Sequence, residues 1–401
     1  MAALDRNWRT VAVAVLELSF LSPLAAAGRP DPRPEGLSLL SPASWFTYQQ
    51  GWLGGDGAYS VPLAKNRSLW LFGDTFVGPT GATSRKQATG FIHNSIALST
   101  CPQPQRCTFQ YYWTGMGTST PGPMFSTGTT DWFWPLDGFV YNGTLYLALM
   151  QMHATGAGGA FGFAYRGVQL ASVRNYTAPP SRWLITYQKI NRGAVAIPGV
   201  SIIVRQGPHG NPDPSNPQGA RYAYFFTLVG EATTTMHLGL LRLPLDQLRD
   251  AARPGDADWD YLKSNHAWAP WPSTESALPA DSAVVLKPGA TEMTVRYHRA
   301  THQWIAVFPV GLDKAAYYAL SPSMMGPWKP PEKLYGYPEM RPSNPNYTPQ
   351  VFCYAAKEHI EFETPGQLLF TYVCNSTQEE EIINNMRLYH PVAVTLPLPD
   401  K

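Results

Sequence analysis

The chain has 401 residues, with 30 Lys plus Arg against 28 Asp plus Glu and a formal net charge of +2. That balance, with no basic run, excludes the electrostatic footprint of a nucleic-acid-binding or polybasic membrane-surface protein and favours a neutral or weakly charged ligand. Hydrophobic residues make up 44% and charged residues only 14%, and 34 Gly with 38 Pro punctuate the chain too often for long helices, which predicts many short strands in an all-β fold.

The N-terminus carries Arg6 and Arg9, an apolar stretch from Val11 to Leu24, and Ala25-Ala26-Ala27 before Gly28. This order reads as a secretory signal, residues 1–27, cleaved after Ala27. Glu17 and Pro23 interrupt the stretch and leave it short of the roughly 20 apolar residues a membrane span needs. Residues 28–40, rich in Pro and Arg, read as a linker, and 41–398 as a single domain. Sequons at Asn66, Asn142, Asn175, Asn346 and Asn375 point to a glycosylated protein of the extracellular space, a monomer with no membrane span after cleavage.

The stretch Gly51 to Gly78 organises the rest of the chain. Ala58 to Val61 and Ser68 to Phe72 are β-prone runs flanking a polar turn at Ala64 to Arg67, a β-hairpin. Residues equidistant from a turn near Lys65-Asn66 lie side by side, so Asp56 and Asp74 should share the open end of the hairpin. Gly54, Gly55, Gly57 and Gly73 surround them and allow a ligand close to the backbone. A third strand, Phe91 to Leu98, should bring His93 and Asn94 to the same rim. Isolated Asp and Gly beside strands are ordinary turn formers; two acids in register across one hairpin, followed by His-Asn, read as a functional rim.

The pattern recurs. The second unit is Asp137 to Tyr141, an Asn142-Gly143 turn, Thr144 to Met150 and Phe161 to Ser172. The third is Gly199 to Val204, Tyr222 to Val229 ending near Glu231, and Met236 to Leu243. The fourth is Glu292 to His298, Gln303 to Phe308 and Ala315 to Ser321. The fifth is Gln350 to Tyr354, Gln367 to Val373 and Leu388 to Leu396. One short helix is expected over Pro244 to Ala252, stopped by Pro254. Five antiparallel units with large intervening loops predict a five-bladed β-propeller around a central funnel. Its inner strands would start at one end, gathering Asp56, Asp137, Gly199, Glu292 and Gln350, with Asp74, His153 and Glu231 from second strands. Asn66 and Asn142 would project from the opposite face. Trp132, Phe133 and Trp134 could form a stacking platform at the mouth, or pack one blade on the next.

Four cysteines fall into two local pairs, Cys101 with Cys107 and Cys353 with Cys374. The second pair sits almost opposite across a hairpin turning near Glu363 to Gly366, so a cross-strand disulfide is sterically reasonable. No metal-site spacing occurs, and no metal or cofactor is assigned. G-x-S-x-G is absent, as are the Asp boxes of sialidase propellers.

GGDGAYSV, LWLFGDTF and FIHNSI, with the later EMTVRYH and Met325 to Trp328, resemble secreted five-bladed propellers of the arabinanase and fructosidase type of glycoside hydrolase. The nearest likeness is to endo-D-arabinanase-type propeller domains. It covers roughly Trp45 to Leu396, with the first hairpin its most specific part. The resemblance implies hydrolysis of a furanose-containing or related polysaccharide, with Asp56 and Asp74 matching that family's two rim carboxylates. This chain departs from the pattern in having no acid at the third inner strand.

Glycoside hydrolysis needs one protonated carboxyl and one ionised one. A separation of about 5 to 5.5 Å gives retention, and about 6.5 to 9.5 Å inversion. The expectation is Asp56 as nucleophile or base and Asp74 as general acid. Asp137 or Glu292 then orients substrate or tunes a pKa, with His93, Asn94, Trp134 and Glu231 as further sugar contacts. The competing expectation is a non-catalytic propeller that binds carbohydrate or protein, its acids accepting hydrogen bonds or holding a structural Ca²⁺.

Overall fold

Repeated antiparallel hairpins account for nearly all of the architecture of this computed structural model, which describes residues 45–399 apart from 104–105, 157–161, 192–195, 205–221, 231–235, 249–258, 272–276 and 346. The first sheet contains β1 (Trp52–Ala64), β2 (Arg67–Val77), β3 (Gly90–Ile92), β4 (Ser95–Gln103) and β5 (Arg106–Tyr112). β6 (Trp132–Tyr141), β7 (Thr144–Ala154), β8 (Phe163–Val173) and β9 (Ile185–Asn191) form the second. The third is β10 (Ala196–Val204), β11 (Tyr222–Val229), β12 (His237–Pro244), β13 (Asp260–Leu262) and β14 (Trp268–Pro270). The fourth is β15 (Thr294–His298), β16 (Gln303–Pro309), β17 (Ala315–Ser321) and β18 (Glu332–Gly336). The fifth has three strands, β19 (Val351–Glu358), β20 (Gln367–Ser376) and β21 (Val392–Pro397).

The first strand of each sheet touches the first strand of the next, β1 with β6, β6 with β10, β10 with β15, β15 with β19, and β19 again with β1. That closed cycle makes five sheets into a five-bladed β-propeller, as the recurring hairpins predict. Closure also removes exposed sheet faces, and the blades bury a nearly continuous core of aromatic and branched side chains. Between the last blade and the first, Trp45 and Phe46 wedge against Trp70, Phe109 and Phe362.

Helix is nearly absent among the described residues. The helix expected over Pro244 to Ala252 is a single 3₁₀ turn at Leu245–Gln247, with 249–258 outside the described residues. A short helix that the sequence did not announce, α1 (Glu379–Asn384), lies between β20 and β21. Both cysteine pairs are bonded, and Cys353 and Cys374 occupy directly opposed positions of β19 and β20. No described helix is long and apolar enough to cross a membrane. The expected signal, linker, Glu231 and Asn346 fall outside the described residues.

Candidate active site

The first hairpin turns at Lys65-Asn66, with Ala64 paired to Arg67 and Asn66 in the left-handed region at φ 62°. Further along, Gly57 pairs with Phe72 and Gly55 with Thr75. Asp56 alone therefore opposes both Gly73 and Asp74, and this bulge turns the two acids toward one another. Gly73 has a steric reason to lack a side chain, because a Cβ there would fall well inside contact distance of Asp56 Oδ1. Gly73→Ala is accordingly expected to fold with little loss of Tm while displacing the Asp56 carboxylate; a Tm scan paired with any site-dependent readout checks it, and an unmoved site would refute it.

Each acid has its own donors. Asp56 Oδ2 accepts from the Tyr354 hydroxyl at 2.8 Å and the Tyr389 hydroxyl at 3.2 Å. Asp74 Oδ1 lies 2.9 Å from His93 Nδ1 and accepts from Trp134 Nε1 at 2.9 Å. Burial, then the neighbouring charges of Asp74 and Glu292, push the Asp56 carboxyl well above the usual carboxylate range, outweighing the two tyrosine hydroxyls that favour its ionised form. Glu292 Oε1 accepts from Lys357 Nζ at 2.9 Å, while its Oε2 is buried without a hydrogen-bond partner. Lys357 is fully buried and lies over the Tyr59 ring; burial lowers its pKa, and the Glu292 carboxylate opposes that.

Other expected site residues do different work. Asn94 is buried, donating to the carbonyls of Phe125 and Phe133 and accepting from the Phe125 amide, so it fixes the backbone beneath the aromatic residues. Asp137 is equally buried and takes the Gly138 amide on Oδ1 and the Ile202 amide and Arg296 on Oδ2. It braces three inner strands against one another. Of the three aromatics, Phe133 stacks on Tyr187 in the core and Trp132 lies under His93, leaving only Trp134 partly exposed. Gly199 supplies no acid and packs on Ala148; His153 is the penultimate residue of β7, with Nδ1 buried and unpartnered.

The glycosylation expectations divide in the same way. Asn66 and Asn142 stand exposed in their hairpin turns. Asn175 ties down its own loop through Arg182 and Leu184. Asn375 is 1% exposed, with its amide toward the Tyr354 hydroxyl, so this sequon has no room for a glycan in the folded chain.

Sequence reasoning missed Tyr354, Tyr389, Lys357 and Arg296. Arg296 lay inside the EMTVRYH motif, and Lys357 could have been noticed as a lone cation in a run of buried strand residues. The tyrosines reach Asp56 from about 300 positions away in the chain, as separations of 298 and 333 residues record, and no local pattern signals that.

Potential metal donors converge in two places among the described residues, neither of which includes Asp56 or Asp74. One is Glu339 beside the Cys353–Cys374 disulfide, whose bonded sulfurs are poor ligands. The other is His298, Glu358 and Glu363, where His298 Nε2 already bonds Glu358 at 2.5 Å.

Comparison with known proteins returns a structure of a candidate hydrolase from Bacteroides ovatus, at TM-score 0.61 and 15% identity over 86% of both chains. Xylan beta-1,4-xylosidase from Bacillus halodurans follows at TM-score 0.43 and 12% identity, over 88% of this chain and 54% of that one. The endo-arabinase of Bacteroides thetaiotaomicron gives TM-score 0.42 and 14% identity, over 87% and 95%. At these identities the first likeness is one of fold. No curated protein matches the sequence. A family model does match, over residues 43–394, that of a domain of unknown function, DUF5005. The chain belongs to the DUF5005 family.

Proposed function

We propose that this protein is a secreted glycoside hydrolase that cleaves a furanose-containing or related polysaccharide with Asp56 and Asp74. The observation that carries the reading is the bulge that sets two carboxyl groups side by side in unlike surroundings, one pressed toward its protonated form and the other held by the Trp134 N–H and by His93 Nδ1. That is the division of labour glycosidic cleavage requires.

The surroundings favour roles opposite to those expected from the sequence. Asp56, whose carboxyl burial presses toward its protonated form, delivers the proton to the departing glycosidic oxygen. Asp74, held by His93 and Trp134, acts as the carboxylate that attacks the anomeric carbon or takes the proton of an attacking water. Behind burial and Asp74, Glu292 is a third influence raising the Asp56 carboxyl, and its Oε2 has no hydrogen-bond partner. Trp134, partly exposed and bonded to Asp74, offers a ring for a sugar to stack on. Two disulfides suit an oxidising compartment.

Reducing-sugar release from arabinan, arabinogalactan, fructan, xylan and galactan tests the reading. Release is expected from one of the furanose-containing polymers. Tight binding on the same panel without release would replace the enzyme by a carbohydrate-binding propeller, a reading that the lack of an acid at Gly199 also fits.

A further inference from the structure

Arg85 opens a 3₁₀ turn, Arg85–Gln87, capped by Ser84 and Gln87. It is 2% exposed, and its guanidinium is spent on main-chain carbonyls. Nε donates to Leu53 O at 2.8 Å, Nη1 to Ile382 O at 2.7 Å and Asn385 O at 3.1 Å, and Nη2 to Leu388 O at 2.5 Å and Tyr389 O at 3.2 Å. Burying a cation among neutral dipoles is costly, and here burial lowers its pKa to about 10. Only a planar fork with five N–H groups can satisfy so many carbonyls at once.

Those carbonyls lie on both sides of one functional contact. Leu53 is three positions before Asp56 on β1, and Gly54 has no Cβ because Arg85 Nη2 would be 2.7 Å from it, with Tyr389 O closer still. Tyr389 itself is a buried non-glycine residue at φ 53°, a conformation that costs free energy unless its surroundings impose it. From that position its hydroxyl reaches Asp56 Oδ2.

We infer that Arg85 is a positioning residue for Asp56, clamping the strand that carries this acid and the left-handed Tyr389 whose hydroxyl bonds it into one rigid unit. The inference rests on the reading of Asp56 as a reacting carboxyl, but its geometry can be tested without turnover. A lysine at 85 keeps the charge and loses the fork. The Tyr389 ring then drifts from Asp56, and the acid loses a donor that favours its ionised form.

The experiment is a carboxyl ¹³C titration of aspartate-labelled protein, with the Asp56 signal identified by its loss in Asp56→Asn. It compares wild type, Arg85→Lys, Tyr389→Phe and the double variant. Tyr389→Phe and Arg85→Lys should each raise the Asp56 midpoint by the same amount, and the double variant by no more than one of them. Arg85→Lys combined with Tyr354→Phe should instead add. An Arg85→Lys protein that loses Tm with the midpoint unmoved, or whose shift adds to that of Tyr389→Phe, overturns the inference. Should Arg85→Lys not fold, Tyr389→Phe alone remains decisive, because an unmoved midpoint there removes the route through Tyr389. Failure of the glycosidase reading would show separately, as silence of the wild type on every polysaccharide.

Discussion

Asp56→Asn and Asp74→Asn should each abolish sugar release by the wild-type fold, with kcat falling by about 10²- to 10⁴-fold or more, the range supplied by a positioned acid or base. The two variants should differ in how they fail. Loss of the proton donor is partly bypassed by an activated leaving group such as a nitrophenolate, so Asp56→Asn should recover rate on aryl glycosides while Asp74→Asn should not. The reverse pattern would return the roles to those expected from the sequence, and undiminished activity in either variant would remove that acid from the mechanism and with it the two-carboxylate reading. A stability signature accompanies the loss. Because the Asp56 carboxyl is pushed up in the folded protein, folding takes up a proton there, and this residue's contribution falls as pH rises from the ordinary carboxylate range toward its raised value. Asp56→Asn removes that dependence, so its Tm should exceed wild type by a margin that widens with pH; a constant margin would show that Asp56 is ionised throughout.

The largest stability effect should come from Arg296→Met. Asp137 is fully buried, and Arg296 Nη2, 3.0 Å from its Oδ2, is its charge partner. Removing the guanidinium leaves a carboxylate in the core with only amide and hydroxyl donors, at a cost of about 3–5 kcal/mol. Adding Asp137→Asn should recover much of that loss, since the orphaned charge is then gone. Urea unfolding of wild type, single and double variants reads this out. A single variant less than about 1 kcal/mol below wild type would mean that the pair contributes little.

The hairpin repeat was legible because alternation and turn residues are local: Asn142-Gly143, Lys65-Asn66 and the cysteines opposed across β19 and β20 could all be read along the chain. The nearness of Asp56 and Asp74 was legible for the same reason, to within a residue, since counting outward from the turn brings both to the open end; the bulges that set Asp56 against Gly73 and Asp74 were not. Asn94 and Asp137 show where such reading stops. Their residue types and positions suit a rim, but strand pairing does not say whether a polar side chain faces the channel or the seam between blades. Both turned out to satisfy buried backbone, which a folded chain requires as strictly as any ligand. The donors to Asp56 were invisible for a different reason: Tyr354 and Tyr389 belong to the last blade and meet the first only when the ring closes.

The seam where that closure happens also constrains the order in which the molecule can form. Among the described residues no strand is shared between the ends; the fifth blade is completed by its own β21. What joins them is the wedge of Trp45 and Phe46, whose carbonyl end accepts from His390, 344 positions distant. Contacts so far apart in the chain must wait for nearly all of it, and the entropy of bringing them together is met late. On the ribosome, four blades can assemble while the face of the first stays uncovered, a sticky surface awaiting the C-terminus. A chain cut short before residue 389 therefore lacks the Tyr389 donor to Asp56 as well as the strand that completes the fifth blade.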